Sequence, residues 1–185
     1  MNSFNNKTIE NKTSLEIAEY NECRFINCDF SEQLLANISF SECEFENCNL
    51  SNSKIDNSSF KEVEFLNCKL MGLNFDSLNP FLLKLKFENC QLSYSSFYKL
   101  KIPKTTFKNC ILIEVDFTET NLSQCYFNNS DLTNAVFDNT NLEKANLTSA
   151  NNYNINPSQN RMKKASFSQD GIAGLLDSFN IIISQ

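Results

Sequence analysis

Eight cysteines have the most obvious chemical potential in this chain: Cys23, Cys28, Cys43, Cys48, Cys68, Cys90, Cys110 and Cys125. Thiols at suitable spacing form disulfide frameworks or hold zinc. Here the spacing argues against both. No two stand as Cys-x-x-Cys, and the 185 residues include no His to complete a zinc set. Without His the commonest proton shuttle is missing too. The other candidates are carboxylates. Glu22, Glu42 and Glu62 recur at twenty-residue intervals, as do Glu44 and Glu64, with Glu46 beside them. Paired carboxylates perform acid–base chemistry where a pocket raises one pKa. No phosphate-cradling glycine loop, metal-ligand cluster or nucleophile–base pair accompanies them. The sequence therefore predicts a protein that is not an enzyme and needs no cofactor or metal.

The elements that position these residues follow from a single beat. Phe45-Glu46-Asn47-Cys48 has counterparts at Phe25–Cys28, Phe65–Cys68, Phe87–Cys90 and Phe107–Cys110, and with one change at Phe127–Ser130. From Leu15 to Phe75, and again from Phe87 to Leu147, every fifth residue is apolar. On an α-helix a step of five advances about 500°, so such residues would wander round the cylinder. On a strand an odd step alternates faces. The chain must instead turn a corner every five residues with the fifth residue, the centre, facing inward. The position two before each centre is mostly small or apolar, and it shares the inward face in extended backbone. All eight cysteines occupy it. They are predicted to be buried free thiols, interchangeable with Ala, Ser, Val or Thr. Stacked side chains on successive coils lie alongside one another and do not point at one another.

Four pentapeptides make a twenty-residue coil, and like positions stack. The interval from Cys68 to Cys90 is 22 residues, so two residues are expected to bulge outward within 76–82. About six and a half coils at roughly 4.8 Å each give a column on the order of 30 Å. The column Asn27, Asn47, Asn67, Asn89, Asn109 and Asn129 suits amide ladders and corner conformations. A leucine-rich repeat has a comparable period but would not keep a five-residue beat around the whole coil. Stretches such as Ala135-Val136-Phe137-Asp138-Asn139 and Ala145-Asn146-Leu147-Thr148-Ser149 resemble the pentapeptide-repeat family. That resemblance implies an all-β fold, a right-handed quadrilateral β-helix, with a short C-terminal α-helix. The expected organisation is an N-terminal cap over residues 1–14, repeats over 15–150, and a C-terminal cap and dimerisation segment over 151–185.

In the tail, Asn156-Pro157 interrupts the extended coil. Ser168 is placed to cap a helix with Asp170 in its first turn. Ile172, Leu175, Leu176 and Phe179 fall on one apolar helix face, and Ile181–Ile183 reads as a short strand. With Ile181, these residues offer more apolar surface than a cap needs. They predict a two-fold homodimer.

Charge is uneven. The net value is −6, which argues against nucleic acid as the partner. Residues 1–76 carry 13 acids and 6 bases, net −7, whereas 77–112 carry one acid and 6 bases, net +5. Lys84, Lys86, Lys99, Lys101, Lys104 and Lys108 form this basic waist. Stacked Glu22, Glu42 and Glu62, with Glu44, Glu46 and Glu64, predict an anionic strip spaced loosely like a phosphate backbone. No apolar run has membrane-span length and no apolar signal core precedes the repeats, so a cytoplasmic protein is expected. The Asn156-Pro157 and Asn160-Arg161 segment, followed by helix and apolar tail, resembles Qnr-type quinolone-resistance and microcin-immunity proteins. That resemblance implies a DNA-mimicking partner of a bacterial type II topoisomerase, DNA gyrase or topoisomerase IV, able to counter quinolones or other poisons. The alternative is a protein–protein interaction scaffold with no topoisomerase role.

Overall fold

A computed structural model describes residues 2–182. The strands are β1 (Asn2–Asn5), β2 (Thr8–Glu10), β3 (Ala18–Asn21), β4 (Arg24–Ile26), β5 (Ser39–Ser41), β6 (Glu44–Glu46), β7 (Ser59–Lys61) and β8 (Val63–Leu66). They continue as β9 (Leu85–Glu88), β10 (Thr106–Lys108), β11 (Tyr126–Asn128), β12 (Asn146–Leu147) and β13 (Ser166–Phe167), before α1 (Ala173–Leu176), the one α-helix among the described residues. All pairings between these strands are parallel. One face is a nine-stranded sheet from β2 to β13, and a second is the four-stranded sheet β1-β3-β5-β7. The other two faces are held by single bridges such as Asp29↔Asn49 and Leu34↔Lys54. The fold is thus a four-sided parallel β-solenoid.

Register confirms the twenty-residue coil: Phe25 pairs with Phe45 and Phe45 with Phe65. Every centre from Tyr20 to Phe75 and from Phe87 to Leu147 is buried. Ring stacking adds a directional term to that burial. Phe25–Phe45 centroids are 4.5 Å apart and Phe45–Phe65 are 5.1 Å apart, with the rings nearly parallel in each case. The stack continues through Phe87, Phe107 and Phe127 at 5.1–5.4 Å.

The corners explain the abundance of Asn. The residue two after each centre adopts a left-handed conformation, except after Leu15, Phe75 and Leu147, and among the described residues 15 of the 28 non-glycine residues with positive φ are Asn. Asn tolerates this region better than other side chains carrying a Cβ. Its amides also ladder: Asn89 donates to Asn67 at 3.0 Å, Asn109 to Asn89 at 3.0 Å and Asn129 to Asn109 at 3.3 Å.

The solenoid is longer at both ends than the five-residue beat. Residues 1–14, expected as an N-terminal cap, contain β1 and β2, which pair with β3 and β4 across a sixteen-residue step (Phe4↔Tyr20, Ile9↔Phe25). The shortened first coil escapes a twenty-residue search. At the other end Leu147 pairs with Phe167, although the apolar period has lapsed between them. Nine layers on one face give eight spacings, about 38 Å, instead of the expected 30 Å. The insertion lies at the C-terminal edge of its expected span. Ser59 still pairs with Asn79, but Val63 pairs with Leu85, so the two added residues fall between Asn79 and Leu85.

Ser168 caps the tail as expected, accepting from the Gly171 N–H at 3.1 Å. α1 is flanked by 3₁₀ turns at Asp170–Ile172 and Asp177–Phe179. Ile181 and Ile182 lie in no strand and pair with no strand among the described residues; an extended segment without a partner is marginal at best. Ile183 lies outside the described residues.

Candidate functional site

The inward slot holds every cysteine. All eight thiols are free and buried. Each of several donates to a carbonyl of the preceding coil: Cys43 to Tyr20 at 3.2 Å, Cys68 to Phe45 at 3.2 Å and Cys125 to Ile102 at 3.3 Å. Ser95, Thr120 and Thr140 make the equivalent contact at 2.7–2.8 Å. Cys, Ser and Thr interchange here because each is a small donor. Burial pushes the Cys43 and Cys125 thiols up to about 12, so neither is a nucleophile at neutral pH. Among the described residues no group of three or more His, Cys, Asp or Glu could hold a metal.

The six predicted glutamates lie along one edge of the solenoid and the sheet beside it. Glu22, Glu42 and Glu62 stack at a left-handed corner with φ of 51°, 52° and 54°. Glu44 and Glu64 pair across β6 and β8, with Glu46 further along the same strand. All face outward, but the strip is not uniformly anionic. Arg24 bridges Glu44 and Glu46 at 3.0 Å each, Lys84 meets Glu62 at 3.0 Å and Lys86 meets Glu64 at 2.7 Å. The hydrogen bond to Glu64 raises the Lys86 pKa. Further down the same sheet Lys108 bonds Glu88 at 2.7 Å and lowers its pKa. Only Glu22 and Glu42 of the six form no ion pair among the described residues. Bases as well as acids stack on the acids of neighbouring coils, which the twenty-residue recurrence of Glu alone does not reveal. The intervals Arg24–Glu44, Glu62–Lys84 and Glu64–Lys86 carried that signal.

Beside this edge runs a groove of about 900 Å³ lined by Glu42, Glu62, Lys84, Lys86, Leu82 and Lys104 among others. The insertion forms one wall. Its tip exposes Phe81 (65%) and Leu82 (64%), and the Lys61 ammonium lies 5.7 Å from the Phe81 ring centroid.

At the C-terminal end, Leu175 packs on the core and Leu176 is half-buried, while Ile172 (45%), Phe179 (59%) and Ile181 (57%) remain exposed. The helical segment is seated by Gly174, whose carbonyl accepts from the Ile155 N–H at 2.9 Å.

Models of the pentapeptide repeat region and of pentapeptide repeats in eight copies match residues 18–97 and 110–149, well over half of the chain between them. The chain belongs to the pentapeptide-repeat family. No curated protein sequence matches it. Among solved structures, this pentapeptide-repeat protein is similar to full-length QnrB1, described as a plasmid-mediated fluoroquinolone resistance protein. The TM-score is 0.66 at 16% identity, covering 97% of this chain and 100% of QnrB1. A trypsin-treated form of QnrB1 gives 0.66 at 16% identity, over 100% of this chain and 99% of that one. The shared feature is the fold. No helix among the described residues is long and apolar enough to cross a membrane.

Proposed function

We propose that this protein is a non-enzymatic, DNA-mimicking partner of a bacterial type II topoisomerase, DNA gyrase or topoisomerase IV, and protects that enzyme against quinolones or other poisons. The observation that carries this reading is the end-to-end match to QnrB1, which spans 97% of this chain and 100% of QnrB1. The acidic edge supports it. Glu22 and Glu42 present free carboxylates to a basic partner, and Glu44, Glu46, Glu62 and Glu64 are engaged only by exposed cations. Such surface pairs are worth about 0–1 kcal/mol, so a DNA-binding cleft rich in Lys and Arg can displace them. In this reading Ile172, Leu175, Leu176, Phe179 and Ile181 pair two rods through their C-terminal ends, doubling the length of the mimic, and the protein works in the cytoplasm.

The test is a gyrase supercoiling assay with and without a quinolone, run beside quinolone susceptibility in cells expressing the protein. Protection in vitro and a raised inhibitory concentration are expected. No effect on either at micromolar protein overturns the reading.

A second reading, a scaffold with no topoisomerase role, is favoured by one observation: Arg24, Lys84 and Lys86 neutralise much of the strip, which weakens duplex mimicry. Affinity capture from bacterial lysate separates the two. Salt-sensitive recovery of topoisomerase subunits supports the first, and their absence beside a different stoichiometric partner supports the second.

A further inference from the structure

The corner that holds Glu22, Glu42 and Glu62 runs the whole length of the solenoid. Its left-handed residues are, in order, Asn6, Glu22, Glu42, Glu62, Leu82, Lys104, Gln124, Lys144 and Lys164. All nine are exposed. The next corner meets the same conformational demand with Asn11, Asn27, Asn47, Asn67, Asn89, Asn109 and Asn129. Asn is the side chain best suited to positive φ, and a charged residue gains nothing locally by replacing it. Six charged residues at one corner therefore act against the local preference, which points to a use on the surface.

Their order is antisymmetric. Three acids precede Leu82 and three bases follow it, with Leu82 fifth of nine. The apolar centre is real: Leu82 and its neighbour Phe81 are about two-thirds exposed at the tip of the insertion. Of the six charged residues only Glu62 has an intramolecular ion partner among the described residues.

We propose that this edge is a lateral, antiparallel self-association surface, and that its occupant is a second copy of the chain. A two-fold axis through Leu82 is the operation that suits such a pattern, because an isologous contact sets each residue against its mirror in the series. Glu62 then faces Lys104 of the second copy, Glu22 faces Lys144, Glu42 faces Gln124 and Asn6 faces Lys164. No like charges meet along the corner. Parallel alignment would set Glu on Glu and Lys on Lys. Flanking positions obey the same operation: Glu64 opposes Thr106, Glu44 opposes Tyr126 and Phe81 opposes Phe81. The like-charge meetings are Lys84 and Lys86, each on itself, and Glu62 and Glu64 already neutralise those ammoniums at 3.0 and 2.7 Å. Complementary exposed charge fixes register more than it adds affinity, so the association is weak and salt-sensitive, anchored by the apolar tip. It draws on Glu22, Glu42 and Glu62, which the topoisomerase reading offers to a basic partner, so the two contacts would compete for this edge; it does not involve the C-terminal contact, which is apolar and lies about four coils from Leu82.

Disulfide trapping tests it. Leu82→Cys sits on the two-fold axis, and the native thiols are buried. Tyr94→Cys is the control, at an exposed left-handed position (φ 64°) on another corner. Under mild oxidation at low salt, Leu82→Cys is expected to form covalent dimer at least tenfold faster than the control, and molar salt should remove the difference. Equal rates, or a rate indifferent to salt, overturn the proposal. A second measurement does not depend on the cysteine variants folding. In Glu22→Lys/Glu42→Lys/Glu62→Lys both arms are basic, and in Lys104→Glu/Lys144→Glu/Lys164→Glu both are acidic. By sedimentation, each alone should lose the lateral species and an equimolar mixture should regain it. A mixture that sediments as the sum of its parts overturns the proposal.

Discussion

The Sγ of Cys68 lies 3.2 Å from the carbonyl oxygen of Phe45, one coil back and three residues across, and this contact ties the inward slot of one coil to the core centre of the one before. Cys68→Ser should be tolerated within about 1 kcal/mol, since Ser and Thr make the same bond elsewhere in the column. Cys68→Leu overpacks a filled layer and should cost about 1–3 kcal/mol. Chemical denaturation of the two variants checks both values.

The same burial makes stability depend on alkaline pH. Cys43 and Cys125 are raised from an ordinary 9.0 to about 12, with desolvation the largest cause. In the unfolded chain they ionise first, so the folded state holds more protons between those values. Their contribution is fully present below pH 9 and is lost as pH rises from about 9 to 12. Denaturation midpoints should therefore be flat from pH 7 to 8 and fall steadily above 9. A Cys43→Ser/Cys125→Ser protein should show a shallower fall.

Phe107 is fully buried and stacked on Phe87 and Phe127 at 5.2 and 5.1 Å. Phe107→Ala should cost about 3–5 kcal/mol, and Phe107→Leu distinctly less. In a solenoid each coil contacts only its neighbours, so the loss is local. Hydrogen exchange should accelerate most in the coils holding Phe87 and Phe127 and least in those holding Phe25 and Phe45.

Gly174 packs directly against the Tyr153 backbone. A Cβ there would stand 2.0 Å from the Tyr153 carbonyl oxygen, which is backbone and cannot move aside. Gly174→Ala should lift the helix from the last coil while leaving the repeats folded. The expected result is an unchanged far-ultraviolet β signal, faster proteolysis after Phe167 and, in the reading proposed above, loss of the C-terminal dimer by light scattering.

What could be read from residue order was whatever repeats within one coil. Phe45 had to face inward, Cys48 had to share that face, and Asn47 had to sit at a corner, because a five-residue beat admits no ordinary helix or strand. Those assignments need only local geometry. The ends were not legible for the same reason: Phe4↔Tyr20 spans sixteen residues and Leu147↔Phe167 bridges a stretch without the beat, so pairing between coils, not periodicity, extends the solenoid there. The candidate surface depended still more on the third dimension. The sequence located Glu22, Glu42, Glu44, Glu46, Glu62 and Glu64 on the outside, but charge acts through space. Only stacking placed Arg24 against Glu44 and Glu46, set Lys84 and Lys86 on the acids of the coil before, and put Leu82 midway along a corner that turns from acid to base.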